Sequence, residues 1–369
     1  MSQIRSKKIS NLVSRNAWLI IGGALVLSAI SGLLTAFHAN PVITFIISGG
    51  ALAVLAALVG QATEQVGSRL GAGATGVLQS SLGNLPELFV GIFALRAGLL
   101  QVVQAAIVGS VLGNSLLVLG LAFFVGGLRN GTQRFASEVP RMIATLTLLA
   151  VSALALPTLV YYLHTPAAGH EDLFSIACAV ILLVVFIASL PVSLKGGPTS
   201  LSEEPDELEG STGAVNRWPV WFAVVLLIGA AVGSAFVSDW FVTALTPAIA
   251  VLHISETFTG LVLVALAGNA VENVVGIQLA AKNKADYAIS VILNSSLQVA
   301  IGLTPILVLL SFFIGSTPLT LVLPPLLVVA LGLTALLSTV ITYDGESTWL
   351  EGMTLVGLYA ILAVSFWWG

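Results

Sequence analysis

The sequence predicts an all-α polytopic membrane protein of eleven transmembrane helices: one leading helix followed by two inverted five-helix repeats. Three observations lead there. Of the 369 residues, 57% are hydrophobic and only 8% charged, with mean hydropathy +1.04, whereas a soluble chain carries roughly a quarter charged residues. Apolar runs long enough for a spanning helix, about 20 residues, recur from end to end. A ten-residue string also returns in the second half.

The apolar runs fall near 17–36, 41–60, 74–95, 102–127, 141–163, 172–192, 218–237, 258–281, 287–312, 319–341 and 349–368. None alternates polar and apolar residues as a membrane β-strand would, so helices are expected. The shorter stretch 240–254 contains Pro247 and reads as a bent or interfacial continuation of the seventh helix. Arg5, Lys7, Lys8 and Arg15 precede the first run as in a signal peptide, but the run is long and no small-x-small cleavage site follows, so a retained helix is expected. With a cytoplasmic N-terminus and eleven alternating spans, every basic residue except Arg96 falls on the cytoplasmic side, twelve of the 13. That distribution obeys the positive-inside rule, and one span more or fewer would scramble it. Cys178 is the only cysteine, which excludes an intramolecular disulfide.

The polar stretch 194–217 divides the chain and carries Glu203, Glu204, Asp206, Glu207 and Glu209. It separates a basic N-terminus and first helix (1–40) and a first repeat (41–193) from a second repeat (218–369). A shift of 185 residues lays GNLPELFVGI (83–92) on GNAVENVVGI (268–277) with six of ten positions identical. It also carries Ile107, Ser110 and Leu112 onto Ile292, Ser295 and Leu297. Repeats with an odd number of spans enter the bilayer in opposite senses, an arrangement that puts a substrate site at the repeat interface near the midplane.

The chemistry concentrates in the two strings. Glu87 and Glu272 each lie mid-segment, where an ionised side chain costs about 2.5–3.5 kcal/mol on insertion scales. A single carboxylate could merely be tolerated by polar neighbours, but a symmetry-matched pair points to function. Asn84 and Asn269, three residues earlier, share a helix face with the glutamates. Gly83, Gly268 and Pro86 weaken the helix and free carbonyls at a break, although glycines also serve close helix packing. Pro86 has no counterpart in GNAVE, so the first-half helix is expected to be the more distorted. The following helix of each repeat offers Ser110 and Asn114, and then Asn294, Ser295, Ser296 and Gln298, as further ligands, gate residues or interhelical hydrogen bonds.

Every candidate ligand is an oxygen, and neither histidine nor cysteine lies near the strings. Such a set suits a hard cation, calcium above all; softer metals would call for imidazole or thiolate. Two carboxylates are neutralised by one divalent cation or by two protons, and an empty doubly charged site in low dielectric is unfavourable. These are the physical conditions for obligatory exchange without a resident cofactor. An ion channel would instead line its pore by oligomeric symmetry or carbonyl filters, and no nucleophile–base set of a membrane enzyme is present. Nucleic acid is not an expected partner; the bilayer is, while oligomeric state is not readable.

With GNLPE at 83–87 and GNAVE at 268–272, the sequence resembles the calcium/proton (cation/proton) exchangers of the Ca²⁺:cation antiporter superfamily. ATE at 62–64, GG at 126–127 with QRF at 133–135, and KNKADYAI…NSSLQ at 282–298 add to the likeness, which covers nearly the whole chain. The resemblance implies Ca²⁺ and H⁺ as the exchanged ions around Glu87 and Glu272, export of Ca²⁺ from the cytosol, and a plasma or inner membrane location in a prokaryote or a vacuolar one in a eukaryote. Sodium-coupled relatives usually carry serine- or threonine-rich strings where this chain has GN; a sodium- or potassium-coupled exchanger is the alternative. Many members have a histidine after GNAVE where this chain has Asn273, and SN where it has GN at 113–114. Glu64 stands where the family often has an acid and reads as an ion relay or a solvated helix-end charge. The acidic run at 203–209 reads as a calcium-collecting segment or a solvated linker. The outer loop 164–172, with two histidines and two acids, reads as an ordinary polar loop.

The predicted orientation is open to chemical labelling. In a Cys178→Ala background, a single cysteine at Ser211 is expected to react with a membrane-impermeant thiol reagent only from the cytoplasmic face. Labelling from outside in intact cells would overturn the eleven-span orientation.

Overall fold

The computed structural model describes residues 13–67, 69, 82–195, 218–315 and 317–368. They form helices α1 (Arg15–Ala36), α2 (Pro41–Gly67), α3 (Leu85–Arg96), α4 (Leu100–Leu112), α5 (Leu119–Asn130), α6 (Glu138–Tyr162), α7 (Glu171–Lys195) and α8 (Val220–Leu252). After the short α9 (Glu256–Phe258) come α10 (Ala265–Gly268), α11 (Ala270–Ala281), α12 (Ala285–Gln298), α13 (Thr304–Ser311), α14 (Pro325–Ile341) and α15 (Trp349–Ser365). A two-residue ribbon, β1 (Gln133–Arg134) antiparallel to β2 (Glu346–Ser347), is the only sheet among the described residues.

The chain is a helical membrane protein, as its composition predicts. Among the described residues seven helices are long and apolar enough to cross a bilayer, or eight if the bent pair Glu256–Gly268 and Glu272–Ala281 is one span. The expected count of eleven is larger because three further helices are short: α3 has 12 described residues, and α14 and α15 have 17 each. At about 1.5 Å rise per residue, 17 residues fall short of a hydrocarbon core of about 30 Å. Residues 240–254 continue the seventh apolar run without interruption, since α8 runs through Pro247 to Leu252. The acidic residues 203–209 and the N-terminal basic residues Arg5, Lys7 and Lys8 lie outside the described residues.

The shift found in the sequence also relates the helices. It carries α3 onto α11 end for end and matches the starts of α4 and α12 and the ends of α2 and α8. Helix pairing follows the same exchange: α3 packs on α8 as α11 packs on α2, and α6 packs on α12 as α14 packs on α4. α1 leans on α2 and α8, held by a Ser31–Ser48 hydroxyl pair at 2.5 Å. Its outward face, with Leu19 and Leu25 about two-thirds exposed, is apolar, as lipid contact requires.

The centre belongs to α4 and α12 with their continuations, most of whose residues are buried. Glycines let the backbones close in there. A Cβ added at Gly109 would lie 2.1 Å from the Leu261 carbonyl oxygen, and one at Gly260 would lie 2.4 Å from that of Val102. Small residues at such crossings supply the packing that hydrophobic force cannot supply in lipid.

Residues 317–324 run extended between α13 and α14, with Leu319, Leu321 and Leu323 buried. The amide of Leu319 donates to Ser311 Oγ at 2.7 Å, that of Leu321 to Ser175 Oγ at 2.9 Å and that of Leu323 to Thr158 Oγ1 at 2.8 Å. Gln104 Nε2 donates to the carbonyls of Thr320 and Val322. Irregular backbone inside a membrane protein requires such side-chain partners.

On the side where α5 ends, Gln133 is fully buried and donates to the Ala280 carbonyl at 2.9 Å and to Asn283 Oδ1. Asp286 accepts from the Ala136 amide, Phe135 donates to the Gly345 carbonyl, and Arg134 pairs with Glu346 at 3.1 Å. The QRF segment thereby ties three interhelical connections into one cap.

Gly109→Ala forces apart the backbones of two crossing helices, whereas an alanine at Gly113 meets nothing within 4 Å. The first is expected to destabilise the detergent-solubilised protein by about 1–3 kcal/mol and the second by much less, as read from thermal unfolding of the two variants side by side.

Candidate cation site

Both GNxxE strings break their helices at the asparagine. In the first half Gly83 and Asn84 form a turn before α3; in the second Asn269 interrupts the chain between α10 and α11, and the axes of the bent pair differ by 67°. The second break needs no proline. A glycine next to an asparagine in non-helical conformation suffices, since both favour caps over helix interiors. Pro86 occupies the first turn of α3, where its missing N–H is harmless. Residues 70–81, before the first break, lie outside the described residues, so the expected difference in distortion has no counterpart to measure.

Each glutamate thus sits in the first turn of a helix that starts mid-protein. Glu87 Oε1 accepts from Ser110 Oγ at 2.9 Å and from Asn269 Nδ2 at 2.5 Å. Asn269 is buried and also donates to Ser110 Oγ and to the Ala265 carbonyl, both at 3.0 Å. Its Oδ1 accepts from Asn114 Nδ2 at 3.2 Å and from Ser295 Oγ at 3.4 Å, and Asn114 donates to Ser295 Oγ at 3.1 Å. Ser115 and Ser296 hydroxyls meet at 3.0 Å alongside. The carboxylate of one half is therefore held by the amide of the other.

Gly268 has a specific reason to lack a side chain: its Cβ would fall 2.4 Å from Glu87 Cγ. Asn114 projects from a π-helical turn, Gly113–Val118; two more follow at Thr259–Val264 and Val299–Leu303. Wide turns of this kind recur at functional sites because they shift side chains out of α-helical register. The sequence names no π turn; a cluster of small and polar residues, GNS at 113–115, is the signal that could have pointed to the first.

Glu87 Oε2, Glu272 Oε2, Asn114 Oδ1 and Asn273 Oδ1 are buried with no hydrogen-bond donor. Buried acceptors in native proteins are nearly always partnered, so these oxygens are free for a proton or a cation. Among the described residues no group of three or more His, Cys, Asp or Glu side chains converges, so the oxygen set is two carboxylates with amides and hydroxyls. Beside Glu87 a narrow crevice is lined by Ser110 and Gly268 and, further along, by Ala94 and Val102, with otherwise apolar walls.

Of the expected site residues, Glu87, Ser110, Asn114, Asn269 and Ser295 form one network. Glu272 stands on the same helix face as Asn269. Asn84 lies at the first break, with no side-chain cap bond. Gln298 is half-buried at the last turn of α12, leading into a π turn. Glu64 is half-buried on α2, which packs against the helix bearing Glu272.

The sequence matches the Sodium/calcium exchanger protein family over residues 40–195 and 222–368. The chain belongs to that family. Among the family's characterised proteins, a Ca²⁺/H⁺ antiporter of Synechocystis sp. is 36% identical over 87% of this chain and 90% of its own. The Ca²⁺/H⁺ antiporter ChaA of Bacillus subtilis is 33% identical over 96% of this chain and 99% of its own. Among solved structures, native YfkE superposes with a TM-score of 0.78 at 31% identity, covering 94% of this chain and 99% of that one. The exchanger fold thus extends over nearly all of the chain.

The contact between Gly268 and Glu87 sets up a double-mutant cycle. Gly268→Ala is expected to destabilise the protein by about 1–3 kcal/mol and to do so much less in a Glu87→Ala background, where the clashing Cγ is gone. Equal effects in both backgrounds would mean the two residues do not couple.

Proposed function

We propose that this protein is a secondary antiporter that exports cytosolic Ca²⁺ in exchange for H⁺, with Glu87 and Glu272 binding either ion in turn. The observation that carries the proposal is the bond across the halves: Glu87 Oε1 held by Asn269 and Ser110 while Glu87 Oε2 and Glu272 Oε2 stay buried and unpartnered. Anchoring one oxygen orients the carboxylate and leaves the other for the ion. Asn114, Asn269 and Ser295 supply neutral oxygens or orient the carboxylates, and the Gly83, Pro86 and Gly268 breaks let both glutamates start their helices at the site. Names of relatives that exchange Ca²⁺ for H⁺ support the choice of ions.

An ion-free pair of carboxylates in a low-dielectric interior is unfavourable, so the site crosses loaded, either with one Ca²⁺ or with two protons. The two halves, 41–193 and 218–369, joined by the acidic linker, would rock about the site. Glu64 serves as a relay at the cytoplasmic end, and Asn84 and Gln298 as outer ligands or gate. The chemistry asks for no resident cofactor.

In vesicles with an acidic interior, Ca²⁺ uptake is expected to follow the pH gradient and to be lost in Glu87→Gln and Glu272→Gln. Protons compete for the same oxygens, so lowering the pH on the Ca²⁺ side raises the half-saturating Ca²⁺ concentration. Uptake that persists in both variants, or that a Na⁺ gradient drives at fixed pH, would sink the proposal.

A further inference from the structure

The two halves of the site are not equivalent. Asn269 caps α11, and Glu272 and Asn273 are the third and fourth residues of that helix, so all three lie at the helix start that Asn269 ties to Glu87. Asn273 Oδ1 is buried with no donor, like Glu272 Oε2 beside it in the chain. The equivalent position of the first half is Leu88, which is partly buried and packs on the apolar core. A buried amide oxygen without a donor forgoes the hydrogen bonds it makes in water, so one left so in the residue after Glu272 lacks a partner that the protein itself does not supply. A cation would supply that partner, and an amide carbonyl is an ordinary calcium ligand.

We infer that Asn273 is a further ligand of the transported cation, so that the Glu272 half of the site contributes an oxygen that the Glu87 half lacks. The inference rests on the exchange role proposed above and deepens it. Asn273 carries no charge at any pH that the protein meets. It therefore adds affinity for Ca²⁺ without adding a proton to the exchange, and it biases the competition at Glu272 toward the divalent ion.

The full chain reconstituted in acid-loaded vesicles tests this, with radioactive calcium as the probe, at neutral and at alkaline external pH. Asn273→Leu installs the side chain of the first half. It is expected to raise half-saturating Ca²⁺ about tenfold at both pH values, the factor carried by one lost charge-assisted contact of modest strength. Asn273→Asp keeps the oxygen and is expected to bind Ca²⁺ at least as well as the wild type at alkaline pH, an expectation that holds even if the leucine variant fails to fold. A folded leucine variant within twofold of wild type overturns the inference. So does a change confined to neutral pH, which would make Asn273 the acceptor for a protonated Glu272, and so does an aspartate variant that binds more weakly. Wild-type vesicles that take up no Ca²⁺ would sink the exchange role and this inference together, whereas wild-type uptake with an unaffected leucine variant removes the inference alone.

Discussion

A carboxylate in the middle of a membrane protein must find partners inside the protein, and here it finds them in the other half of its own chain. The hydrogen bond from Asn269 to Glu87, with Ser110 completing it, joins residues 182 positions apart. Much of the central architecture serves that contact. Gly268 leaves room for the glutamate, and the Ala265 carbonyl holds Asn269 from behind through both its backbone and its side-chain amide. Close approach at Gly109 and Gly260 brings α4, which bears Ser110, against the stretch that leads to Asn269. Each half supplies a carboxylate, and that of the first half is held by an amide of the second.

Departures from ideal helix are concentrated at the same level. An α-helix hides its carbonyls and spaces its side chains at a fixed angle; a site that gathers several oxygens at one point asks for something else. Breaks at Asn84 and Asn269 turn helix starts toward the centre. The π turn at Gly113–Val118 re-aims Asn114 and Ser115, the polar residues that follow Ser110. Both central helices remain long and buried on either side, so the irregular turns are held from above and below.

The architecture was readable because it repeats. A composition with few charges announces a membrane protein, and a constant offset between GNLPE and GNAVE announces two halves, down to the shared ends of α3 and α11. Glu87 and Glu272 stand out since no other pressure keeps a carboxylate mid-span at matched places. What stayed hidden has a common cause. Asn84 and Asn269 look equal in the strings, yet Asn269 stands at the heart of the network and Asn84 at its edge. The difference comes from Asn114, whose repeat counterpart is Val299 and which bonds Asn269 across the interface. Sequence spacing along one helix cannot report what faces it from another. Asn273 escaped for the same reason: next to Glu272 it reads as a small departure from a pattern, and only burial of its oxygen without a donor gives it weight.

The extended stretch 317–324 has its own bearing on how the molecule holds together. Its buried leucines donate in turn to Ser311, Ser175 and Thr158, side chains of α13, α7 and α6. Those three hydroxyls stand in for the neighbouring strand that an extended backbone would otherwise demand. Two come from before the acidic linker and one from after it. The stretch is therefore a seam: its register can be read only when hydroxyls from both halves are already in place, and parting the halves there would strip the amides of Leu321 and Leu323 of their acceptors together.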